Sequence, residues 1–186
     1  ASMPPPLASH WLLAHPGTPA PAVRELRVTV EPDPAQGGWW LRYTLRAALA
    51  ALRLPPPAAQ PGPADGLWRH TCFEAFVGAA RGAAYHEFNF SPSGHWAAYA
   101  FSAPRQRASA GHLPLAPRLQ WRQGVGTLTL DAWLPQGVLP SANTPHALGL
   151  SAVIETDDGR LSYWALAHPA PQPDFHHRAG WTARLP

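Results

Sequence analysis

The chain has 186 residues, enough for one domain with a single closed core, and only 13% of them are charged against the ordinary share of about 25%. Every one of the 14 Lys-plus-Arg positions is arginine, a bias of bacterial type. The net charge is +3, and no four basic residues are adjacent, so the basic stripe of a nucleic-acid binder is missing. Pro (24) and Gly (15) together stay below the roughly 25–30% of a disordered chain, and no apolar run reaches the ~18 residues of a membrane-spanning helix.

Residues 1–22 are proline-rich and read as an extended lead-in, with His10-Trp11-Leu12-Leu13 as a short edge strand. From Val23 the pattern changes. Leu26, Val28 and Val30 alternate with polar residues, as do Trp39, Leu41, Tyr43 and Leu45, which is the period-two signature of half-buried strands. The stretch 47–54 reads as continued strand, and 55–66 as a Pro/Gly/Ala loop inside the domain. Further strands are predicted at 67–78, 84–91, 95–102, 117–123, 126–134, 147–156 and 161–168, separated by turn clusters. The expected fold is all-β: a two-sheet antiparallel β-sandwich, jelly-roll-like, spanning 23–186 as a single domain. Phe73, Val77, Phe88, Phe90, Leu128, Leu130, Leu150 and Ile154 are its predicted core.

The stretch 67–91 carries the chemical information. Along 67–78, Thr71, Phe73, Ala75 and Val77 make one face, while Trp68, His70, Cys72, Glu74 and Phe76 make the other. In the next strand His86, Phe88 and Phe90 share a face, and Tyr85, Glu87, Asn89 and Ser91 share the opposite one. A hairpin would set Glu74 and Glu87 on one surface with Trp68, Tyr85 and Asn89. A carboxylate among apolar neighbours is costly unless it is paired or faces water. Rings beside carboxylates and amides suit a polyol or sugar, whose apolar face stacks and whose hydroxyls need fixed acceptors.

These residues resemble a known family. Trp68, then Cys72-Phe73-Glu74-Ala75-Phe76, then Tyr85-His86-Glu87-Phe88-Asn89-Phe90-Ser91-Pro92-Ser93-Gly94 is similar to the DOMON-like superfamily, and within it to the family-nine carbohydrate-binding modules. The near match covers about residues 67–101 and extends loosely to Asp174-Phe175-His176. The resemblance implies a β-sandwich with a ligand groove for a sugar or a haem. It implies that Trp68 stacks on the sugar and that Glu74, six residues on, holds hydroxyls. A second clamping ring would come from near the C-terminus, from Trp164 or Phe175. Relatives often carry acidic residues where this chain has His70-Thr71, which counts against an acid-dependent metal site.

Other constellations are less developed. Haem ligation by Met and His would rest on Met3, the one methionine, ligation by two of the ten histidines stays open, and the covalent attachment motif Cys-x-x-Cys-His is absent. His168, His176 and His177 form a C-terminal cluster that suits a divalent metal in principle and a solvated tail in practice. Glu74 and Glu87 could serve a glycoside-processing enzyme if about 5–9 Å apart in a cleft. Trp39-Trp40, Trp121 and Trp133 would serve a protein-interaction module. Cys72, the one cysteine, permits no intramolecular disulfide and reads as a small buried hydrophobe.

The leading expectation is a non-catalytic domain that binds a carbohydrate or similar polar small molecule, with no nucleic acid, membrane or metal involved. Trp68, His70, Glu74, Tyr85, Glu87 and Asn89 are the first candidates for its groove. Trp96, Trp164, His168 and Phe175 are the second. If Met3 is the native start, no signal peptide precedes the domain and the expected location is cytoplasmic.

Overall fold

The computed structural model describes residues 8–114, 116–140 and 145–185. Met3 lies outside them. Thirteen strands are present among the described residues: β1 (Ala8–Trp11), β2 (Leu13–Ala14), β3 (Val23–Pro32), β4 (Trp39–Ala47), β5 (Cys72–Gly78), β6 (Tyr85–Phe90), β7 (Trp96–Ala103), β8 (Gln106–Arg107), β9 (Arg118–Gly124), β10 (Thr127–Leu134), β11 (Ala147–Glu155), β12 (Leu161–Ala165) and β13 (Ala183–Arg184). They form a β-sandwich of two antiparallel sheets. One has five strands in the order β1-β3-β4-β10-β9. The other has eight, in the order β2-β12-β11-β5-β6-β7-β8, with β13 also paired to β11. The edge strand expected at His10–Leu13 is there, divided between the two sheets.

Alternation decides which residues meet between the layers. Leu26, Val28 and Val30 of β3, Leu41, Tyr43 and Leu45 of β4, and Leu128 and Leu130 of β10 face inward from the smaller sheet. Phe73, Ala75 and Val77 of β5, Phe88 and Phe90 of β6, and Leu148, Leu150 and Ile154 of β11 meet them from the larger one. All eight predicted core residues belong to this cluster. Tyr43 carries the one hydroxyl at its centre and donates it to Glu74 O at 2.7 Å, so a polar group that burial would penalise is satisfied.

Two stretches depart from the sequence pattern. The strand predicted through 47–54 stops at Ala47, and Leu49–Ala51 is a 3-10 turn. The chain leaves the five-stranded sheet here and reaches the other: Arg53 N–H donates to Glu155 O at 2.8 Å, and Leu52 bridges Thr156. The strand predicted from Leu67 starts only at Cys72. Gly66, at φ +70°, turns the chain into a 3-10 segment at Leu67–Arg69. Glycine takes that left-handed conformation without Cβ strain. Trp68 and His70 are therefore not on the alternating face of β5.

The larger sheet is buried on both sides, which is why β5 has no exposed residue. A second, smaller cluster of Phe76, Tyr85, Ala97, Tyr99, Phe101 and Trp181 lies on its outer face. Trp181 arrives from the segment that follows β12, and its ring stacks on Phe76 with centroids 5.8 Å apart. It can do so because the neighbouring β11 residue is Gly149. A Cβ there would lie 2.2 Å from Trp181 Cδ1. Arg178 fixes the same segment by donating to Ala79 O at 3.1 Å and Ala84 O at 3.2 Å. No helix among the described residues is long and apolar enough to cross a membrane.

Candidate functional site

On the outer face of the larger sheet, beside this roof, is a cleft of about 330 Å3. That is the lower end of the range for small-molecule sites. Its floor comes from the middle of the sheet. In the β5–β6 register Glu74 pairs with Asn89 and Phe76 with Glu87, so the two carboxylates are diagonal neighbours on one face. Both are buried, Glu74 to 3% and Glu87 to 6% exposure, and Asn89 is fully enclosed between them. With its amide nitrogen turned to the carboxylates, Asn89 donates to Glu74 Oε1 at 2.9 Å and to Glu87 Oε2 at 3.0 Å.

Both carboxyl groups are buried and bridged by the same amide, which favours one proton held between the two of them. Burial pushes the Glu74 carboxyl well above its usual range, and the charge of Glu87 pushes it further. Burial raises Glu87 too, but hydrogen bonds from Glu74 and Asn89 and the fields of Arg107 and Arg105 oppose that. Glu74 is therefore the protonated member and Glu87 the ionised one. This is the arrangement of two close carboxylates sharing one proton. Glu74 Oε2 finds no further partner, and neither does Ser151 Oγ, opposite Glu74 on β11.

A chain of hydrogen bonds approaches Glu87 from the other side. The Arg105 backbone N–H donates to Tyr85 Oη at 3.0 Å. The Tyr85 hydroxyl donates to His176 Nδ1 at 2.7 Å. His176 Nε2, which then carries the ring proton, lies 3.5 Å from Glu87 Oε1. The imidazole is neutral: burial, reinforced by the positive charge of Arg105, lowers its pKa to about 4. Arg105 is the one non-glycine described residue at positive φ, 58°. Such a conformation costs roughly 1–2 kcal/mol and is held by its surroundings. Here the holding contacts are Tyr85 Oη and Asp174, whose Oδ1 takes Arg105 Nη2 at 3.0 Å and His176 N–H at 3.1 Å. The β7–β8 turn and the C-terminal segment are thereby locked together above Glu87.

The walls are aromatic. Trp68, half exposed, stands at the mouth on its 3-10 turn. Tyr99 and Phe101 rise from β7 and Tyr163 from β12, while Phe175 reaches over from the C-terminal segment. The Arg107 guanidinium lies over the Tyr99 ring at 3.9 Å. Tyr99 donates its hydroxyl to Asp65. Burial first, and then the bond to Asp65, push the Tyr99 hydroxyl up, so it stays protonated.

The structure thus brings together Trp68, Glu74, Glu87 and Phe175 of the expected groove, with Asn89 beneath. Between the two C-terminal rings it selects Phe175. Trp164 points to the opposite side of β12, into the main core, and Trp96 packs against that core beside His112. His70 turns away to Glu155, with Nδ1 and Oε1 3.0 Å apart. His168 Nε2 binds Leu13 O at 2.7 Å. Tyr85 does not present its hydroxyl to a ligand. Its ring is buried against Phe101, centroids 4.8 Å apart, and its hydroxyl is committed to His176. The C-terminal histidines are neither a metal cluster nor, for His176, a solvated tail. His177 accepts from Ala179 N–H in the following 3-10 turn. Among the described residues no group of three His, Cys, Asp or Glu side chains is placed to hold a metal. Of the aromatics considered for an interaction surface, Trp39 is core, while Trp40 and Trp133 donate their indole N–H to Asp33 and Gly37 O.

Sequence reasoning missed Tyr99, Phe101, Arg105, Arg107, Tyr163 and His176. The first two were readable. A β6–β7 hairpin pairs Glu87 with Tyr99 and Tyr85 with Phe101. The remainder depend on loops or on a one-residue choice of face.

No family model matches the chain, and no curated protein matches it in sequence. Among solved structures it is similar to one described as a "putative carbohydrate-binding protein" from Bacteroides uniformis. The TM-score is 0.61 at 15% identity, and the likeness covers 94% of this chain and 84% of that one. Likeness at that identity establishes a shared fold.

Proposed function

We propose that the protein binds a small carbohydrate in this cleft. The observation that carries the reading is the buried Glu74–Asn89–Glu87 cluster, set at the floor of a cleft with aromatic walls. A pyranose has apolar faces bounded by hydroxyls. Trp68, Phe175 and Tyr163 offer ring surfaces to the faces, and Glu87 offers an ionised acceptor to the hydroxyls. Hydrogen bonds made in such a low-dielectric floor are stronger than the same bonds in water. The fold shared with a protein described as carbohydrate-binding, and the resemblance of residues 67–101 to the family-nine modules, both support the reading. The haem alternative draws less support. His176, the one histidine lining the cleft among the described residues, has Nδ1 bonded to Tyr85 and Nε2 turned to Glu87.

Isothermal titration of the purified protein with mono- and disaccharides tests this reading. Saturable binding is expected, weakened at least tenfold in Glu87→Gln, since a hydrogen bond to a charged group is worth ~1.5–3 kcal/mol. Binding unaffected by both Glu87→Gln and Trp68→Ala, or no binding to any saccharide, would refute it.

A further inference from the structure

The polar content of the cleft is not what a neutral sugar alone requires. Two guanidinium groups line its wall, Arg105 and Arg107, opposite a floor whose two carboxyls share a proton and so carry one negative charge. The carboxylates nearby are already engaged. Asp174 is taken up by Arg105 and the His176 backbone. Asp65, behind Tyr99, accepts the tyrosine hydroxyl and lies 3.3 Å from His112 Nε2. Arg107 is left without an ion-pair partner among the described residues. Its guanidinium carbon instead lies 3.9 Å from the centre of the Tyr99 ring, a contact that holds the charge at the cleft wall.

The two arginines act in the same sense on the groups that line the cleft. At Glu87 the two arginines stabilise negative charge, and at His176 the positive charge of Arg105 outweighs the opposing effect of Asp174. Glu87 and Asp65 feel the charge of Arg107 without an ion pair to it among the described residues, and a planar guanidinium so placed is a fork for a carboxylate or phosphate.

Resting on the carbohydrate reading above, we propose that the ligand is an acidic sugar, whose carboxylate or phosphate group is held by Arg107 at the rim while its hydroxyls face Glu87 and its ring faces Trp68. Arg105, engaged with Asp174, adds positive field without being the main donor. The preference is then for a uronate or a sugar phosphate over the parent neutral sugar and over the amino sugar.

The test is a calorimetric comparison of four ligands: the neutral hexose, its uronate, its 6-phosphate and its 2-amino derivative. It is run in the gluco, galacto and manno series at low ionic strength. Wild type is set beside Arg107→Gln, with Arg118→Gln, on the other sheet, as the control. The expected result is at least tenfold tighter binding of uronate or phosphate than of the neutral hexose. That ratio should shrink with added salt, collapse toward one in Arg107→Gln and persist in Arg118→Gln. Whether uronate or phosphate leads distinguishes the two anion sources. Neutral or amino sugars binding as tightly as the acidic ones would overturn the proposal while leaving the carbohydrate reading intact. A preference that survives Arg107→Gln would overturn the assignment to Arg107. No binding of any of these sugars would overturn both. Melting curves show whether each variant is folded; Arg107 is exposed, and its replacement is expected to leave them unchanged.

Discussion

Replacing Glu74 by Gln should make the protein more stable at neutral and alkaline pH. Glutamine is nearly isosteric with a protonated glutamate. Its carbonyl can accept from Asn89 as Glu74 Oε1 does, and its amide can donate to Glu87 in place of the shared proton. Only the titration is lost. In the folded chain burial raises the Glu74 pKa well above the usual 4.5, whereas in the unfolded chain it returns there. Above about pH 4.5 the folded state therefore binds a proton that the unfolded state has released. The stabilising contribution is complete below the unfolded pKa and is lost as pH rises through the folded one. One proton gives a slope of about 1.4 kcal/mol per pH unit across that window. The variant is neutral in both states and has no such slope. Urea unfolding at fixed temperature, from pH 5 to pH 9, gives the difference between variant and wild type. Titrations common to both, such as that of His176, largely cancel. The difference should grow with pH at up to that slope and then level off once the wild-type pair ionises. In melting temperature each kcal/mol is worth about 2–4 °C for a chain of this size. Parallel curves, whatever their offset, would show that the two carboxyls do not share a proton.

Further predictions follow from the same contacts. An NMR titration of the His176 ring should show a midpoint of about 4 and no protonation near neutrality. Because this folded pKa lies below the unfolded one, protonating His176 disfavours folding, and stability should fall as the pH drops from about 6.5 towards 4. Tyr43→Phe removes the buried donor to Glu74 O and leaves that carbonyl short of a partner, at a cost of about 1–3 kcal/mol in denaturant unfolding. Trp68→Ala should abolish ligand-induced fluorescence change and shift the melting temperature little, since the ring is half exposed. Gly149→Ala drives a methyl group into Trp181, so it should lower stability by about 1–3 kcal/mol and weaken binding by displacing the roof. Full stability in that variant would mean that the roof is not packed as described.

The layers were legible because they rest on period two. Phe73, Val77, Phe88 and Phe90 declare one face, and the intervening Glu74, Glu87 and Asn89 declare the other without knowledge of the partner sheet. The same arithmetic fails where local pattern is ambiguous. Trp164 and Tyr163 are adjacent, and a sequence rich in aromatics gives no reason to prefer one for the cleft. The choice is made by register: Tyr163 pairs with Val153 of β11, on the cleft side, and Trp164 pairs with Ala152, on the core side. Trp68 lines the cleft from a 3-10 turn and not from the strand expected to carry it, because Gly66 ends the extended run before alternation can place it. Arg105 and His176 were beyond local reasoning. Their roles arise from a contact between a hairpin turn and a segment some seventy residues later, through Asp174.

That long-range contact explains how two acidic side chains come to be buried on what would otherwise be an ordinary solvated sheet face. The outer face of β5 and β6 alone would leave Glu74 and Glu87 in water, ionised and with usual pKa values. The segment carrying Phe175, His176 and Trp181 closes over that face, with Gly149 making room and Arg178 tying its end down. Removing water would impose a penalty of several kcal/mol on each unpaired charge. The shared proton, the Asn89 amide and the neutral His176 together avoid most of it by leaving a single negative charge with hydrogen-bond partners. What remains is an acceptor of fixed orientation in a half-closed aromatic cleft. Its net field is softened by two arginines rather than cancelled by a buried ion pair. On the proposed carbohydrate reading, such a floor would set the geometry of its hydrogen bonds before the ligand arrives, and selectivity would depend on which groups the ligand presents to Glu87 and to Arg107.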